Sequence, residues 1–332
     1  MFRTLALATL ALFAAPLAAK ADCQVSELLE LPVVMEGLRP TIPAKVDGKE
    51  ARFVLDSGEY ESWLMSASAA RLGVKATLAM SDYLIQSAGG SPMANVKAFN
   101  LGGVAFKDVP FKIDEDKTSQ NIDGYLGQKL LRVADVDYDL PHDAVRLMRP
   151  RDCGAQPLAY WLKPGEAFGV VPLTSSGPEG TDATATASLN GVRLTVGFST
   201  GSSVSLLTLA AARRAGIDSH DPGVVPAGSI VWGDDSVQIW IAPVKNFEFG
   251  GEEIRNTSLR VTSTDISGYD LVLGADFFLS HHLYFANSQH KLYITYAGGP
   301  VFAAYNIGRA ESYRPKAAKP TSERHTPPPV IK

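Results

Sequence analysis

The chain has 332 residues, of which 45% are hydrophobic and 20% are charged, and its formal net charge at pH 7 is -4. That length is sufficient for two domains that each bury a core, and the composition is typical of a soluble globular protein. The acidic balance provides no basic surface for nucleic acid, so we expect no nucleic-acid partner.

The first 21 residues have the pattern of a secretory signal peptide. Arg3 is followed by an apolar run over Leu5–Ala19, and Ala19-Lys20-Ala21 places small residues at the -3 and -1 positions of a cleavage point. The run is too short to span a bilayer, and no later stretch reaches the ~18 apolar residues of a membrane helix. We therefore expect cleavage after Ala21 and a periplasmic or secreted protein with no transmembrane segment.

The sequence contains two cysteines, Cys23 and Cys153. In an oxidising compartment one disulfide is their simplest use, and the long loop that it closes would add a few kcal/mol of stability. Two unpaired thiols are the alternative. Two sulfurs without nearby histidines do not complete a tetrahedral metal site, so we expect no metal here.

A hidden repeat organises the rest of the chain. Asp56-Ser57-Gly58 begins eight positions after Gly48, and Ser199-Thr200-Gly201 begins eight positions after Gly191. Four further pairs of landmarks recur in the same order: the helix-ending Gly73 and Gly216, the turns Gly102-Gly103 and Gly250-Gly251, the apolar stretches Gly124–Gly127 and Asp270–Gly274, and the strand pairs Val136–Leu147 and Leu283–Ile294.

The segments between these landmarks are typical of strands and tight turns. We predict an all-β protein of two tandem lobes, each with one short helix. The predicted boundaries are residues 22–150 for the first lobe, 151–182 for a linker region and 183–308 for the second lobe. Residues 309–332 form a Pro-rich, basic tail that we expect to be disordered, because it has too little apolar surface to order itself.

The landmark residues carry a family resemblance. Phe53-Val54-Leu55-Asp56-Ser57-Gly58, with Tyr125-Leu126-Gly127 further on, resembles a lobe of the retropepsin-like and pepsin-like aspartic peptidases. The second copy matches with Gly197-Phe198-Ser199-Thr200-Gly201 and Val272-Leu273-Gly274. The resemblance covers roughly residues 40–148 and 183–296. It implies two β-barrel lobes related by a pseudo-twofold axis, with a peptide or protein substrate in the cleft between them.

The chemistry of that family requires two carboxylates. Held ~3 Å apart, they share one proton, so that one can activate water while the other protonates the carbonyl oxygen. The resemblance makes Asp56 the catalytic carboxylate and Ser57, Gly58, Thr200 and Gly201 the supporting loop residues. This sequence departs from the pattern at Ser199, which stands where the second aspartate is expected.

Two functions follow from this departure. One is an exported aspartic endopeptidase in which Asp56 acts with reduced activity, or in which two chains pair their first lobes as a homodimer. The other is a catalytically degenerate peptide-binding protein. Glu59 is a candidate replacement acid, although a solvent-facing carboxylate is the simpler interpretation.

The hairpins expected over Ser81–Val96 and Val224–Ile241 would lie over the cleft. Tyr83 and Trp232 are candidate peptide-binding side chains, and packing on their own sheets is the alternative. The pair His281-His282 is a candidate metal site, but neighbouring residues on a strand point to opposite faces of the sheet, so we expect no metal there. We expect no cofactor, because no phosphate-binding loop motif is present.

Overall fold

The structure, a computed structural model, describes residues 22–77, 92–114, 121–176, 182–232, 235–266 and 268–302. Strands predominate in these ranges and the helices are short, so the predicted all-β class is confirmed. No helix in the described ranges is long and apolar enough to cross a membrane.

The first half of the chain alternates strands with two short α-helices, and the second half also has two, where one short helix per lobe was predicted. Its elements are β1 (Gln24–Pro32), β2 (Val34–Glu36), β3 (Arg39–Val46), β4 (Lys49–Leu55), β5 (Trp63–Met65), α1 (Ser66–Leu72), β6 (Ala76–Thr77), β7 (Met93–Leu101), β8 (Val104–Asp114), β9 (Gly124–Leu126), α2 (Gln128–Leu131), β10 (Asp135–Asp139) and β11 (Ala144–Arg151).

The second half repeats this order. Its elements are β12 (Gly169–Pro172), β13 (Thr174–Ser176), β14 (Asp182–Leu189), β15 (Val192–Phe198), β16 (Leu206–Thr208), α3 (Leu209–Arg214), β17 (Val225–Trp232), β18 (Asp235–Phe249), β19 (Glu252–Thr262), β20 (Leu271–Leu273), α4 (Ala275–Phe278), β21 (His281–Ala286) and β22 (Lys291–Tyr296).

Each half closes into a six-stranded barrel. In the first, strands β3-β4-β9-β5-β8-β7 form a ring that the pairing of β3 with β7 completes. In the second, strands β14-β15-β20-β16-β19-β18 form the equivalent ring, completed by the pairing of β14 with β18. The two glycine pairs at 102–103 and 250–251 turn the hairpins β7–β8 and β18–β19, as predicted.

A third sheet joins the barrels, and the sequence did not predict it. The strand pairs β10–β11 and β21–β22 form as expected, but they combine in one six-stranded sheet of order β1-β11-β10-β21-β22-β12. The pairing of β10 with β21 is antiparallel and aligns Tyr138 with Leu283. Because this pairing joins strands from the two halves of the chain, no turn motif in the local sequence indicates it.

The hydrophobic core is continuous through both barrels and the inner face of the shared sheet. Phe53, Phe99 and Phe111 fill the first barrel, with ring centroids 5.5–5.8 Å apart. Aromatic pairs at such separations add to the stabilisation from burial alone. The two loops that carry the repeated motif therefore follow strands that share one continuous core.

The segment between the lobes packs on the outer face of the shared sheet. Cys153 is bonded to Cys23 by a disulfide that spans 130 residues of sequence. Leu158 is fully buried, and the indole Nε1 of Trp161 donates to Thr295 Oγ1 at 3.1 Å. The segment predicted as a linker thus covers a second small core before it enters β12.

Candidate functional site

Asp56 and Ser199 occupy equivalent positions at the ends of buried strands. β4 pairs in parallel with β9, and β15 pairs in parallel with β20. Directly after these strands, the Asp56 amide donates to Leu126 O and the Ser199 amide donates to Leu273 O, each at 3.0 Å. The repeat predicted from sequence spacing therefore places the two side chains on equivalent loops of the two lobes.

The loops interlock through Ser57 and Thr200. The Ser57 amide donates to Thr200 Oγ1, and the Thr200 amide donates to Ser57 Oγ, both at 3.0 Å. The Thr200 hydroxyl in turn donates to Leu55 O at 2.6 Å. Both side chains are buried, so these bonds fix one loop relative to the other in a low-dielectric environment.

Asp56 is a buried carboxylate that accepts three hydrogen bonds on Oδ1. The donors are the Gly58 amide at 2.8 Å, the Gly201 amide at 3.2 Å and the Ser199 hydroxyl at 2.9 Å. Two of these donors come from the opposite lobe. The carboxyl group of Asp56 is therefore held in place by donors from both lobes.

Ser199 completes the site as a hydroxyl rather than as a second acid. Its Oγ donates to Asp56 and accepts from the Ser202 amide at 3.1 Å. Both hydrogen-bonding roles of this hydroxyl are therefore satisfied within the loops. The contact with Asp56 joins the two side chains that a dyad would have brought together.

Two glycines allow this close approach. A Cβ added at Gly58 would lie 2.5 Å from Ser199 Cβ, and one added at Gly201 would lie 1.9 Å from Asp56 Oδ2. Neither position has room for a side chain while the facing residue keeps its place. Each loop therefore needs glycine because of the residue that the other loop presents.

Tyr138, which the sequence did not single out, lies beneath the site on β10. It is buried between Phe278 and Phe285, and both burial and the charge of Asp56 raise the pKa of its hydroxyl. The strand to which it belongs was predicted, but the shared sheet that carries it under Asp56 was not.

The loop of the first lobe has further support that sequence patterns did not indicate. The Gln128 side-chain amide donates to Ser57 O, and Ser62 Oγ accepts from the Gly127 amide at 3.1 Å. In the second lobe Ser205 Oγ accepts from the Gly274 amide at 2.9 Å in the same way. The sequence did contain one signal for these bonds, because a serine stands six residues after Asp56 and another stands six residues after Ser199.

The remaining candidates do not converge on Asp56. Glu59 is exposed, and its carbonyl accepts from the Gln128 amide at 2.8 Å. Tyr83, with most of the predicted Ser81–Val96 hairpin, lies outside the described residues. The second predicted hairpin forms from β17 and β18, and the backbone of Trp232 pairs there with Asp235.

His281 and His282 are both buried and both face carboxylates. His281 Nε2 lies 2.8 Å from Glu252 Oε2, and His282 Nε2 lies 2.5 Å from Asp137 Oδ1. Within the described ranges no cluster of three or more His, Cys, Asp or Glu side chains has the arrangement of a metal site.

Comparisons with known proteins support the resemblance. Residues 42–130 match the family model described as aspartyl protease, a range that includes Asp56-Ser57-Gly58 and the crossing strand β9. No curated protein matches the chain in sequence.

Two solved structures resemble the fold. A retropepsin-like aspartic protease from Rickettsia conorii is 18% identical, covers 39% of this chain and 94% of its own, and has a TM-score of 0.28. An aspartic proteinase from Irpex lacteus is 11% identical, covers 87% of this chain and 100% of its own, and has a TM-score of 0.46.

Proposed function

We propose, from the match of residues 42–130 to the aspartyl protease family, that this chain is a peptidase-like protein that binds extended peptides without hydrolysing them. One observation carries the proposal: the Ser199 hydroxyl donates to Asp56 Oδ1 at 2.9 Å, where the two-carboxylate mechanism requires a second acid.

The reason is that the site lacks one of the two groups that must transfer protons during hydrolysis. Hydrolysis by paired aspartates needs one carboxylate that accepts a proton from water and one carboxylic acid that donates a proton. A serine hydroxyl is not charged near neutral pH and is a poor acid or base there. Because a positioned acid or base contributes roughly 10²- to 10⁴-fold to rate, the loss of one should reduce turnover by at least that factor.

Dimerisation does not readily restore the pair. The loop of Asp56 is already held by the second lobe through Ser57 and Thr200. A second chain that presented its own first lobe would have to displace these buried bonds.

The surroundings of the site favour peptide capture. Gly58 is exposed and Ser199 and Ser202 are half-buried, so the paired loops are reachable from solvent. β17, whose Ala227 packs against the cluster that contains Val204 of the Ser199 loop, is the terminal strand of its sheet among the described residues. Such an edge offers backbone groups to an added strand. An extended peptide is the ligand whose backbone complements an edge of this kind.

Export is part of the proposal. A cleaved signal peptide over residues 1–21 would deliver the chain to an oxidising compartment, and the bond between Cys23 and Cys153 is consistent with that environment. The periplasm or the extracellular medium is therefore the proposed location.

The test compares five proteins: the natural chain, Asp56→Asn, Ser199→Asp, Ser199→Ala, and the double variant that combines Asp56→Asn with Ser199→Asp. Each is incubated at pH 4–7 with a fluorescent library of extended decapeptides, and binding and cleavage are both measured. We expect the natural chain to bind without cleavage and Ser199→Asp to gain cleavage at acidic pH. Adding Asp56→Asn to Ser199→Asp should abolish that gain.

Two results would overturn the proposal. Cleavage by the natural chain that Asp56→Asn abolishes would make the protein an active peptidase. Absence of peptide binding by the folded natural chain would remove the binding function.

A further inference from the structure

The two lobes differ at the second residue after the glycine that follows β9 in the first lobe and β20 in the second. In the first lobe this residue is Lys129, an exposed side chain whose Nζ lies 3.1 Å from Glu61 Oε1. In the second lobe it is Asp276, which is only 2% exposed. The repeat therefore replaces a surface ion pair with a buried carboxyl group on one side only.

Asp276 is only partly satisfied. Its Oδ1 accepts from the Ser205 amide at 2.8 Å and from the Ser205 hydroxyl at 2.7 Å. Its Oδ2 is buried and has no hydrogen-bond partner among the described residues. A buried carboxyl oxygen without a donor disfavours the charged form of the group.

The charged groups around α4 do not offset the effect of burial on the pKa of Asp276. The field of Arg260, which is itself buried on β19, acts on Asp276 and lowers its pKa by less than burial raises it. β20 is entirely apolar. β21, the other strand packed on α4, carries two histidines that bond carboxylates elsewhere: His281 with Glu252, and His282 with Asp137.

Asp276 is connected to Ser199 through one short loop. Ser205 ends this loop, and Ser205 Oγ also accepts from the Gly274 amide at 2.9 Å. In the middle of the loop, Ser202 O accepts from the Ala275 amide at 2.8 Å, and the Ser202 amide donates to Ser199 Oγ at 3.1 Å. The loop of residues 199–205 thus lies directly over the buried acid.

We propose that Asp276 is a positioning residue that holds the loop of residues 199–205 closed while it is uncharged and releases the loop when it ionises. Ionisation of Asp276 then acts directly on the second-lobe loop, whereas the first lobe has the Lys129–Glu61 ion pair at the equivalent position. The consequence for peptide binding rests on the proposed function, but the consequence for the loop does not.

Linkage gives the direction of the effect. Burial raises the pKa of Asp276 to about 6, and the bonds from Ser205 and the field of Arg260 only partly oppose this. Any opening of the loop that lets water reach the carboxyl returns its pKa toward ~3.9. Opening is therefore favoured as the pH rises through 6, by up to about 100-fold if the carboxyl becomes fully hydrated.

The experiment measures hydrogen–deuterium exchange by mass spectrometry on the full chain between pH 4.5 and 7.5. Protection of residues 199–206 is divided by protection of residues 39–46, which form β3 in the first barrel, in the same sample, and this ratio removes the intrinsic pH dependence of exchange. Asp276→Asn keeps the size of the side chain but cannot ionise. Lys129→Gln is the matched control, because it changes the equivalent position of the first lobe.

We expect relative protection of 199–206 to fall several-fold, and by up to about tenfold, between pH 5 and pH 7.5 in the natural chain and in Lys129→Gln. In Asp276→Asn it should be flat and should stay near the acidic value. A flat natural profile, or a fall that persists in Asp276→Asn, would overturn the proposal.

A parallel measurement of decapeptide affinity over the same pH range separates the two proposals. Affinity should weaken above pH 6 in the natural chain and not in Asp276→Asn. If the loop responds as expected but no peptide binds, the proposed function fails and the role of Asp276 stands. If peptide binds with a pH dependence that Asp276→Asn leaves unchanged, the role of Asp276 in binding is wrong.

Discussion

Ser57 and Thr200 exchange hydrogen bonds between the two lobes, each amide donating at 3.0 Å to the other residue's hydroxyl oxygen. These bonds are buried and lie immediately beside Asp56 and Ser199. The relative position of the two lobes at the site is therefore fixed by the motif residues themselves.

Thr200→Val tests this linkage. Valine has nearly the same shape as threonine but no hydroxyl. The Ser57 amide would therefore lose its acceptor, and Leu55 O would lose the hydroxyl that now donates to it at 2.6 Å. Buried groups left unsatisfied cost about 1–3 kcal/mol each, so we expect the free energy of unfolding in urea to fall by about 2–5 kcal/mol. Thr186→Val, on an exposed face of the second barrel, should change it by less than about 0.5 kcal/mol. Equal effects of the two substitutions would contradict the prediction.

The disulfide between Cys23 and Cys153 ties β1 to the segment between the lobes. Replacing both cysteines with serine opens a loop of 130 residues and should lower the free energy of unfolding by about 2–5 kcal/mol. The mass of the intact protein should rise by about 2 Da on reduction, as two thiols form. Unchanged stability after reduction would show that the bond does not constrain the unfolded chain.

The sequence was informative where the repeat was exact. The spacing from Gly48 to Asp56 and from Gly191 to Ser199 predicted two equivalent loops, and the structure joins them through Asp56 and Ser199. Short-range signals sufficed to locate the loops, because each one directly follows its own buried strand, β4 or β15.

What the sequence could not predict depends on contacts between the halves. Tyr138 packs against Phe278 and Phe285 of the second half, where β10 pairs with β21. The contact of Asp137 with His282 in this pairing joins residues 145 positions apart in the sequence. Asp276 follows an apolar stretch and a glycine, where an acid is equally compatible with an exposed helix start. Asp276 is instead buried beneath the loop of residues 199–205, which is distant from it in the sequence. Burial by such a loop leaves no periodic pattern in the sequence around Asp276.

Stability should depend on pH through Asp276. Its pKa of about 6 in the folded protein exceeds the ~3.9 of an unfolded chain, because burial outweighs the bonds from Ser205. Its contribution is therefore full below pH ~3.9 and is lost as the pH rises through 6, up to about 3 kcal/mol. Asp135, whose pKa burial also raises, contributes with the same sign.

Urea unfolding at pH 4.5, 6 and 7.5 measures this dependence. Asp276→Asn should flatten the decline over that range, and the remaining slope should diminish further when Asp135→Asn is added. Asp152→Asn, at an exposed position, should leave the profile unchanged. A decline of the same size in Asp276→Asn would assign the pH dependence to other groups.

Asp137 joins the two halves of the shared sheet to the segment between the lobes. Its carboxylate is fully buried and contacts His282 Nε2 at 2.5 Å, Arg146 Nη1 at 3.2 Å and the Tyr160 hydroxyl at 2.5 Å. His282 belongs to the second half of the chain and Tyr160 to the segment between the lobes. The group therefore connects both halves and their link through one side chain.

Asp137→Asn keeps the size of that side chain and removes its charge, which leaves Arg146 without one of its buried anions and presents an amide to donors. Breaking a buried ion pair costs about 3–5 kcal/mol, and we expect a loss of that order in the free energy of unfolding. Hydrogen exchange should also become faster in β21, since His282 loses its anchor to β10. Asp143→Asn, exposed beside β11, provides the control. A loss below about 1 kcal/mol, with β21 unaffected, would show that backbone pairing alone holds the two halves together.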